Sequence, residues 1–245
     1  MTVATLTMDA SSTPQSDISA DLKWRSLYRL SGVGTLLMCG LVVIQMVVFI
    51  VWPPPVSVVD WFSLFQNNRL LGLLSLDLLL VADSVIMIPM YLAFFVALRR
   101  TNDSLITLAT ALGLISVTTF FASNPAFNML TLSNQYASAS SEAQRSILLA
   151  AGQTVLAMSN GTAFNVYYLL GSVAPIIICA VMLRSRLFGK ATAIIGIVAN
   201  AIALGLYVPT IGLYLSLFSV VGLEVWFFMV GLRFLSLGQF QPKLV

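Results

Sequence analysis

The sequence contains no histidine, and only 9% of its 245 residues are charged. The absence of histidine removes the usual haem ligand, the commonest zinc ligand and the usual general base. Soluble domains carry about a quarter of their residues as charged side chains, so this composition excludes a water-soluble fold. Neither a phosphate-binding loop nor a dinucleotide-binding glycine motif occurs in the sequence. We therefore expect no enzymatic activity, no cofactor, no bound metal and no nucleic-acid partner.

Apolar residues make up 59% of the chain and occur in runs that are too long for the core of a soluble protein. A transmembrane helix needs about 20 consecutive, predominantly apolar residues. Prolines, glycines and paired basic residues divide the runs into segments of about that length. The sequence thus predicts an all-α integral membrane bundle of six helices, with approximate spans at residues 29–51, 69–98, 104–123, 162–183, 191–207 and 212–233.

The last apolar run, from Ala191 to Leu232, is too long for one crossing. It contains a single charged residue, Glu224. As one helix it would be about 63 Å long, roughly twice the thickness of the hydrocarbon core. A turn around Pro209, with Gly205 and Gly212 nearby, divides it into the fifth and sixth predicted spans.

Two shorter segments differ from the spans. Residues 56–66 are aromatic and mixed in polarity, and residues 145–158 have the spacing of an amphipathic helix. Both patterns are typical of helices that lie in the membrane interface, and we place them on the outer side. The polar stretch at residues 131–145 is predicted to be an exposed loop. Counting residues 146–159 as a seventh span is the alternative.

The distribution of basic residues decides between these alternatives and sets the orientation. With six spans, one side holds only Arg69 and Arg145. The other side holds the remaining ten: Lys23, Arg25, Arg29, Arg99, Arg100, Arg184, Arg186, Lys190, Arg233 and Lys243. A seventh span would destroy this asymmetry, so we reject it. The basic side is cytoplasmic, which puts both termini in the cytoplasm.

The predicted membrane domain covers residues 23–236. Residues 1–22 are rich in Ser, Thr, Asp and Ala, and we expect a disordered cytoplasmic tail there. Residues 237–245 form a second cytoplasmic tail. The expected location is the inner or plasma membrane, where the lipid bilayer is the main partner of the protein.

Three carboxylates fall inside the predicted spans, where a charge costs roughly 2.5–3.5 kcal/mol. Asp83 and Glu224 lie near the middle of their helices, Asn200 lies at a similar depth, and Asp77 lies about 9 Å farther outward than Asp83. We hypothesise that these four residues form a midplane polar centre. It would carry a proton or bind a small polar solute or cation in a transporter or sensor.

The alternative is structural. Low dielectric favours the neutral form of a carboxylic acid. Asp83 and Glu224 would then hydrogen-bond to neighbouring helices and hold the bundle together. In that case the protein would be a non-catalytic accessory subunit that packs against a membrane-protein partner or a second copy of itself.

Several short motifs resemble a prokaryotic membrane family catalogued as domain of unknown function 4386. The first is Tyr28–Gly32, which opens the first helix. Arg184–Lys190, followed by Ile194–Ile197, is similar to the link between the later helices of that family. Gly222–Gly231 is similar to its final helix, except that Leu223 separates the glycine from the glutamate.

This resemblance covers residues 24–234. It implies a multi-pass membrane fold. The family has no established activity, so the resemblance assigns no functional residues to this chain.

Overall fold

The computed structural model describes residues 23–239, and residues 1–22 and 240–245 of the predicted tails lie outside this range. Within it the chain forms ten α-helices and one 3₁₀ helix and contains no β-strand. In chain order the helices are α1 (Arg25–Val51), α2 (Val58–Asn67), α3 (Arg69–Ser75), α4 (Leu78–Leu98), α5 (Asp103–Ser123), α6 (Ala126–Ala137), α7 (Glu142–Ser159), α8 (Thr162–Met182), α9 (Lys190–Ala203), the 3₁₀ helix (Leu204–Tyr207) and α10 (Gly212–Gln239).

Six helical segments within residues 23–239 are long and apolar enough to cross a membrane. They contain α1, α4, α5, α8, α9 and α10, and they are compatible with the predicted multi-pass, all-α protein. These helices pack in a closed ring, because each contacts the next in the order α1, α10, α9, α8, α5, α4 and again α1. A ring of this kind has an interior, which is where polar residues within spans are normally found.

The outer surface of the ring is apolar. Large aliphatic and aromatic side chains are exposed on successive turns of α1 and α10, where no other part of the described chain covers them. Those on α1 include Leu30, Val33, Leu37, Ile44 and Val47, and those on α10 include Leu217, Val221, Val225 and Phe228. Spanning helices with such a surface imply a lipid bilayer around the bundle.

Two segments differ from the sequence prediction. The continuous helix predicted over residues 69–98 is wrong, because the chain breaks at Leu76 and Asp77 between α3 and α4. The exposed loop predicted over residues 131–145 is also wrong in its first half, because α6 continues to Ala137. There the hydroxyl of Ser133 is buried and donates a 2.9 Å hydrogen bond to the carbonyl of Phe62, which ties α6 to α2.

Helices α2, α3, α6 and α7 form a second packed unit, which we call the cap. Its core includes Trp61, Phe62 and Phe65 of α2 against Ala126 and Met129 of α6. The cap connects to the C-terminal ends of α1 and α5 and to the N-terminal ends of α4 and α8, so all its attachments lie at one end of the ring. We call this the cap end. Helices form at both segments predicted as interfacial, whereas their position at a membrane surface stays a prediction.

The opposite half of the ring is filled by interlocking aromatic rings, which we call the aromatic cluster. Phe94 of α4 lies 4.9 Å from Phe234 and 6.0 Å from Trp226, both on α10, measured between ring centroids. Phe188 and Tyr28 pack against Phe234 at 5.8 and 6.0 Å. These contacts join α1, α4, α10 and the connection between α8 and α9 into one solid region.

Candidate functional site

A cavity of about 310 Å³ lies inside the ring, in the half nearest the cap. It extends from the cap-end termini of the helices, where Phe164 and Ser216 line it, to Met87 and Phe227. Beyond that depth the aromatic cluster begins. Residues from all the ring helices contribute to the wall, so the cavity belongs to the bundle as a whole.

The four residues predicted to form a polar centre all line this cavity. They are Asp77 at the start of α4, Asp83 on α4, Asn200 on α9 and Glu224 on α10. Asp77 directly precedes α4 and Asp83 lies on it, whereas Asn200 and Glu224 lie on two other helices, and the ring brings the faces of these three helices to a common space.

Asp83 is the most unusual of the four. Its side chain is only 5% exposed, and neither of its carboxylate oxygens has a hydrogen-bond partner among the described residues. Buried polar groups in proteins are nearly always hydrogen-bonded, because an unmatched group loses its interactions with water and gains nothing in return. Asp83 therefore places in the cavity wall a carboxyl group that no described residue hydrogen-bonds.

Asp77 occupies the break between α3 and α4. Its backbone is left-handed, with φ of 63°, which is uncommon for a residue other than glycine. Two side chains from elsewhere in the bundle satisfy the carbonyls near the break: Gln45 of α1 donates to Leu74 at 2.9 Å, and Asn124, which follows α5, donates to Leu76 at 2.9 Å. Irregular backbone at membrane depth is tolerated where it is hydrogen-bonded in this way and lines a cavity.

Glu224 and Asn200 reach the cavity where α9 and α10 pack closely. A Cβ atom on Gly222 would lie 3.0 Å from the Cβ of Ala199, so glycine allows this approach. Asn200 is 3% exposed, and its amide donates a 2.8 Å hydrogen bond to the carbonyl of Gly196 one turn earlier. The face of α9 that packs closely against α10 at Ala199 thus lies next to Asn200.

A hydrogen-bond network that the sequence did not reveal lies at the cap end of the cavity. The hydroxyl of Tyr168 donates to the carbonyl of Ala203 at 3.0 Å and lies 2.6 Å from the hydroxyl of Ser216. The hydroxyl of Ser219 donates to the carbonyl of Ser216 at 2.6 Å. These bonds join α8, α9 and α10. The signal in the sequence that could have indicated this network is the spacing of Tyr168 and Ser172, which lie four residues apart and therefore on one face of α8.

The remaining wall of the cavity is aromatic and sulfur-containing. Phe120 and Tyr167 contact each other with ring centroids 4.7 Å apart, and Phe164 lies 6.1 Å from Tyr167. Met38 and Met87 line the cavity from α1 and α4. Sequence reasoning treats such residues as ordinary core or lipid-facing bulk, because nothing in a single apolar helix marks the side that faces an internal space.

The charge of the site is entirely acidic. Asp77, Asp83 and Glu224 line the cavity, and no lysine or arginine of the described chain does. The described residues also contain no group of three or more His, Cys, Asp or Glu side chains that is close enough to hold a metal ion. The ionisable carboxyl groups of the wall are therefore not balanced by a basic side chain in the lining, and the described residues offer no ready coordination shell for a metal ion.

No protein-family model, no curated protein and no solved structure matches this chain. The resemblance of its short motifs to the family catalogued as domain of unknown function 4386 stays a prediction. The chemistry of the cavity is accordingly inferred from its own residues.

Proposed function

We propose that the protein transports a small cation or a proton across the membrane, with Asp83 and Glu224 as the binding centre. One observation carries the proposal: Asp83 is buried at the wall of an internal cavity with both carboxylate oxygens unpartnered. Ionisable residues within spans are costly and normally mark an ion or proton pathway. Asn200 and Asp77 complete the polar lining in this proposal.

The same observation speaks against the structural alternative. A carboxyl group that holds helices together must hydrogen-bond to one of them. Asp83 does not, whereas several hydroxyl groups of the bundle do, such as that of Ser31, which donates to the carbonyl of Pro89 at 2.8 Å. The bundle thus has polar links between helices, and Asp83 is not among them.

The shape of the interior supports alternating access. The cavity occupies the cap-end half, and the aromatic cluster closes the other half. Transport requires that the cluster repack so that the centre opens to the opposite side. Pro175 in α8, which lines the cavity, and Pro89 in α4 interrupt the helical hydrogen bonding and provide sites of bending.

The break at Asp77 adds a second feature that is common in transporters. Their binding sites are often formed by discontinuous helices near the membrane midplane. In our proposal the cap faces the outside of the cell and both termini face the cytoplasm, as the basic residues predict.

Currents from reconstituted protein test the proposal. The full chain in liposomes adsorbed on a solid-supported membrane is exposed to concentration jumps of protons, Na⁺, K⁺ and small organic ammonium ions. We expect currents with at least one of these cations in the wild type and their loss in Asp83→Asn and Glu224→Gln. Glu142→Gln is the matched control, because Glu142 pairs with Arg145 on the exposed surface of the cap.

Two results would contradict the proposal. A wild-type protein that gives no current with any of these cations has no such transport activity. Currents that persist unchanged in correctly folded Asp83→Asn and Glu224→Gln proteins would show that cations move by a route that does not involve the cavity.

A further inference from the structure

We infer that the ligand of the cavity is a protonated organic amine with an apolar body, bound with its ammonium group at Asp83. This inference rests on the proposed function and narrows it from cations in general to one chemical class. It joins three independent properties of the cavity: the free carboxyl group, the available volume and the character of the walls.

The volume and the ligand set disfavour an inorganic ion. Cavities that bind small organic molecules are typically about 300–1,000 Å³, and this one, at about 310 Å³, lies at the lower end of that range. A proton needs no such space. A hard metal cation needs about six or more oxygen ligands to replace its water, whereas the described residues hold no acidic cluster of that kind.

The walls match the apolar part of such a molecule. Phe164, Tyr167 and Phe227 present aromatic rings, and Met38 and Met87 present thioethers. Aromatic faces attract organic ammonium ions through their quadrupole, and the effect grows when water is excluded. Methionine adapts its shape to irregular apolar surfaces, which suits a wall that must accommodate a ligand and release it again.

The hydrogen-bonding groups match the ammonium end. Both carboxylate oxygens of Asp83 lack a hydrogen-bond partner among the described residues. Pro175 has no N–H group to donate to the carbonyl of Gly171, four residues before it, and both residues line the cavity. The cavity wall thus contains hydrogen-bond acceptors, which the N–H groups of an ammonium ion can use as partners.

Calorimetric titration of the purified full-length protein in detergent tests the inference. The probes are 2-phenylethylammonium, its neutral isostere 2-phenylethanol and the anion 3-phenylpropanoate. We expect saturable binding of the ammonium compound alone, also in the presence of excess Na⁺ or K⁺. Asp83→Asn should abolish binding, and Asp83→Glu, which keeps the carboxyl group, should retain it.

A ring-deletion pair tests the contribution of the walls. Phe227→Leu keeps an apolar side chain in the cavity but removes a ring, and we expect binding about three- to tenfold weaker. Phe121→Leu is the control, because Phe121 is exposed on the outside of α5 and its loss should leave the affinity unchanged.

The outcomes separate this inference from the proposed function. Proton, Na⁺ or K⁺ currents that depend on Asp83, in a protein that does not bind 2-phenylethylammonium, would overturn the inference and leave the transport proposal standing. Equal binding of 2-phenylethanol, or undiminished amine binding in Asp83→Asn, would also overturn it, because the charge would then play no part.

Discussion

Replacing Asp83 with leucine is expected to stabilise the folded bundle while it removes cation binding. The side chain is 5% exposed and both carboxylate oxygens are unpartnered, so it contributes no hydrogen bond to the fold. A buried polar group left in this state costs about 1–3 kcal/mol. Leucine removes that cost. Part of the leucine side chain would still face the cavity, so burial of its apolar surface adds little stability. We expect the free energy of unfolding to rise by about 1–3 kcal/mol.

The assay is reversible unfolding in mixed detergent micelles, with Ser31→Ala as the reference. That substitution deletes an interhelical hydrogen bond to Pro89, and bonds of this type are worth about 0.6 kcal/mol in membrane proteins. The two variants should therefore shift stability in opposite directions. A loss of stability in Asp83→Leu would refute the reasoning, because it would show that the carboxyl group holds the helices together.

Three further predictions concern the break before α4, the packing of α9 and the orientation of the chain in the membrane. Asn124→Ala removes the hydrogen bond to Leu76 at the break before α4 and the one that the N–H of Ala126 donates to Asn124 between α5 and α6, and we expect a loss of about 1–3 kcal/mol in unfolding free energy and weaker cation binding. Gly196→Ala would place a Cβ 2.4 Å from the indole nitrogen of Trp226, so the thermal midpoint should fall; Gly40→Ala, with nothing within 4 Å of the new Cβ, should leave it unchanged or raise it. Reporter tags at Ser140 and at the C-terminus should lie on opposite faces of the membrane, and tags on the same face would contradict the six-span orientation.

The fold class was predictable because bilayer thickness imposes a length on each apolar run. The division of the last run at Pro209 illustrates this, since no single helix of that length fits a membrane. The polar residues of the cavity were also visible in the sequence, because Asp83 and Glu224 are conspicuous within apolar spans. The cavity that they share was not visible in the sequence, because it depends on the order in which the helices pack around the ring. Hydropathy carries no information about that order.

The break at Asp77 could not be found from local sequence. Leu74 and Leu76 are ordinary helix formers, and neither glycine nor proline marks the position. The carbonyl groups there are satisfied by Gln45 and Asn124, which lie 29 and 48 residues from their acceptors along the chain. A tertiary arrangement thus overrides local propensity, which is what a sequence-based prediction cannot include.

The prediction of an exposed loop over residues 131–145 was wrong in its first half for a related reason. Polar residues dominate the sequence around Ser133 because much of α6 is exposed, and such composition is typical of a loop. The helix forms because a few residues on one face, among them Met129, pack against α2. A narrow buried face on a short helix leaves too weak a periodic signal to be recognised.

The unequal lengths of the ring helices affect the surrounding lipid. Neighbouring α1 and α10, with 27 and 28 residues, are each about 40 Å long, whereas α9 and the 3₁₀ helix that continues it, with 14 and 4 residues, together cover about 29 Å. The perimeter is therefore taller on one side than on the other. The short side matches a hydrocarbon core of about 30 Å, whereas the long pair exceeds it. A bilayer around the bundle would accommodate this difference by tilting of the long pair or by thickening beside it, so the lipid on the two sides of the protein would differ.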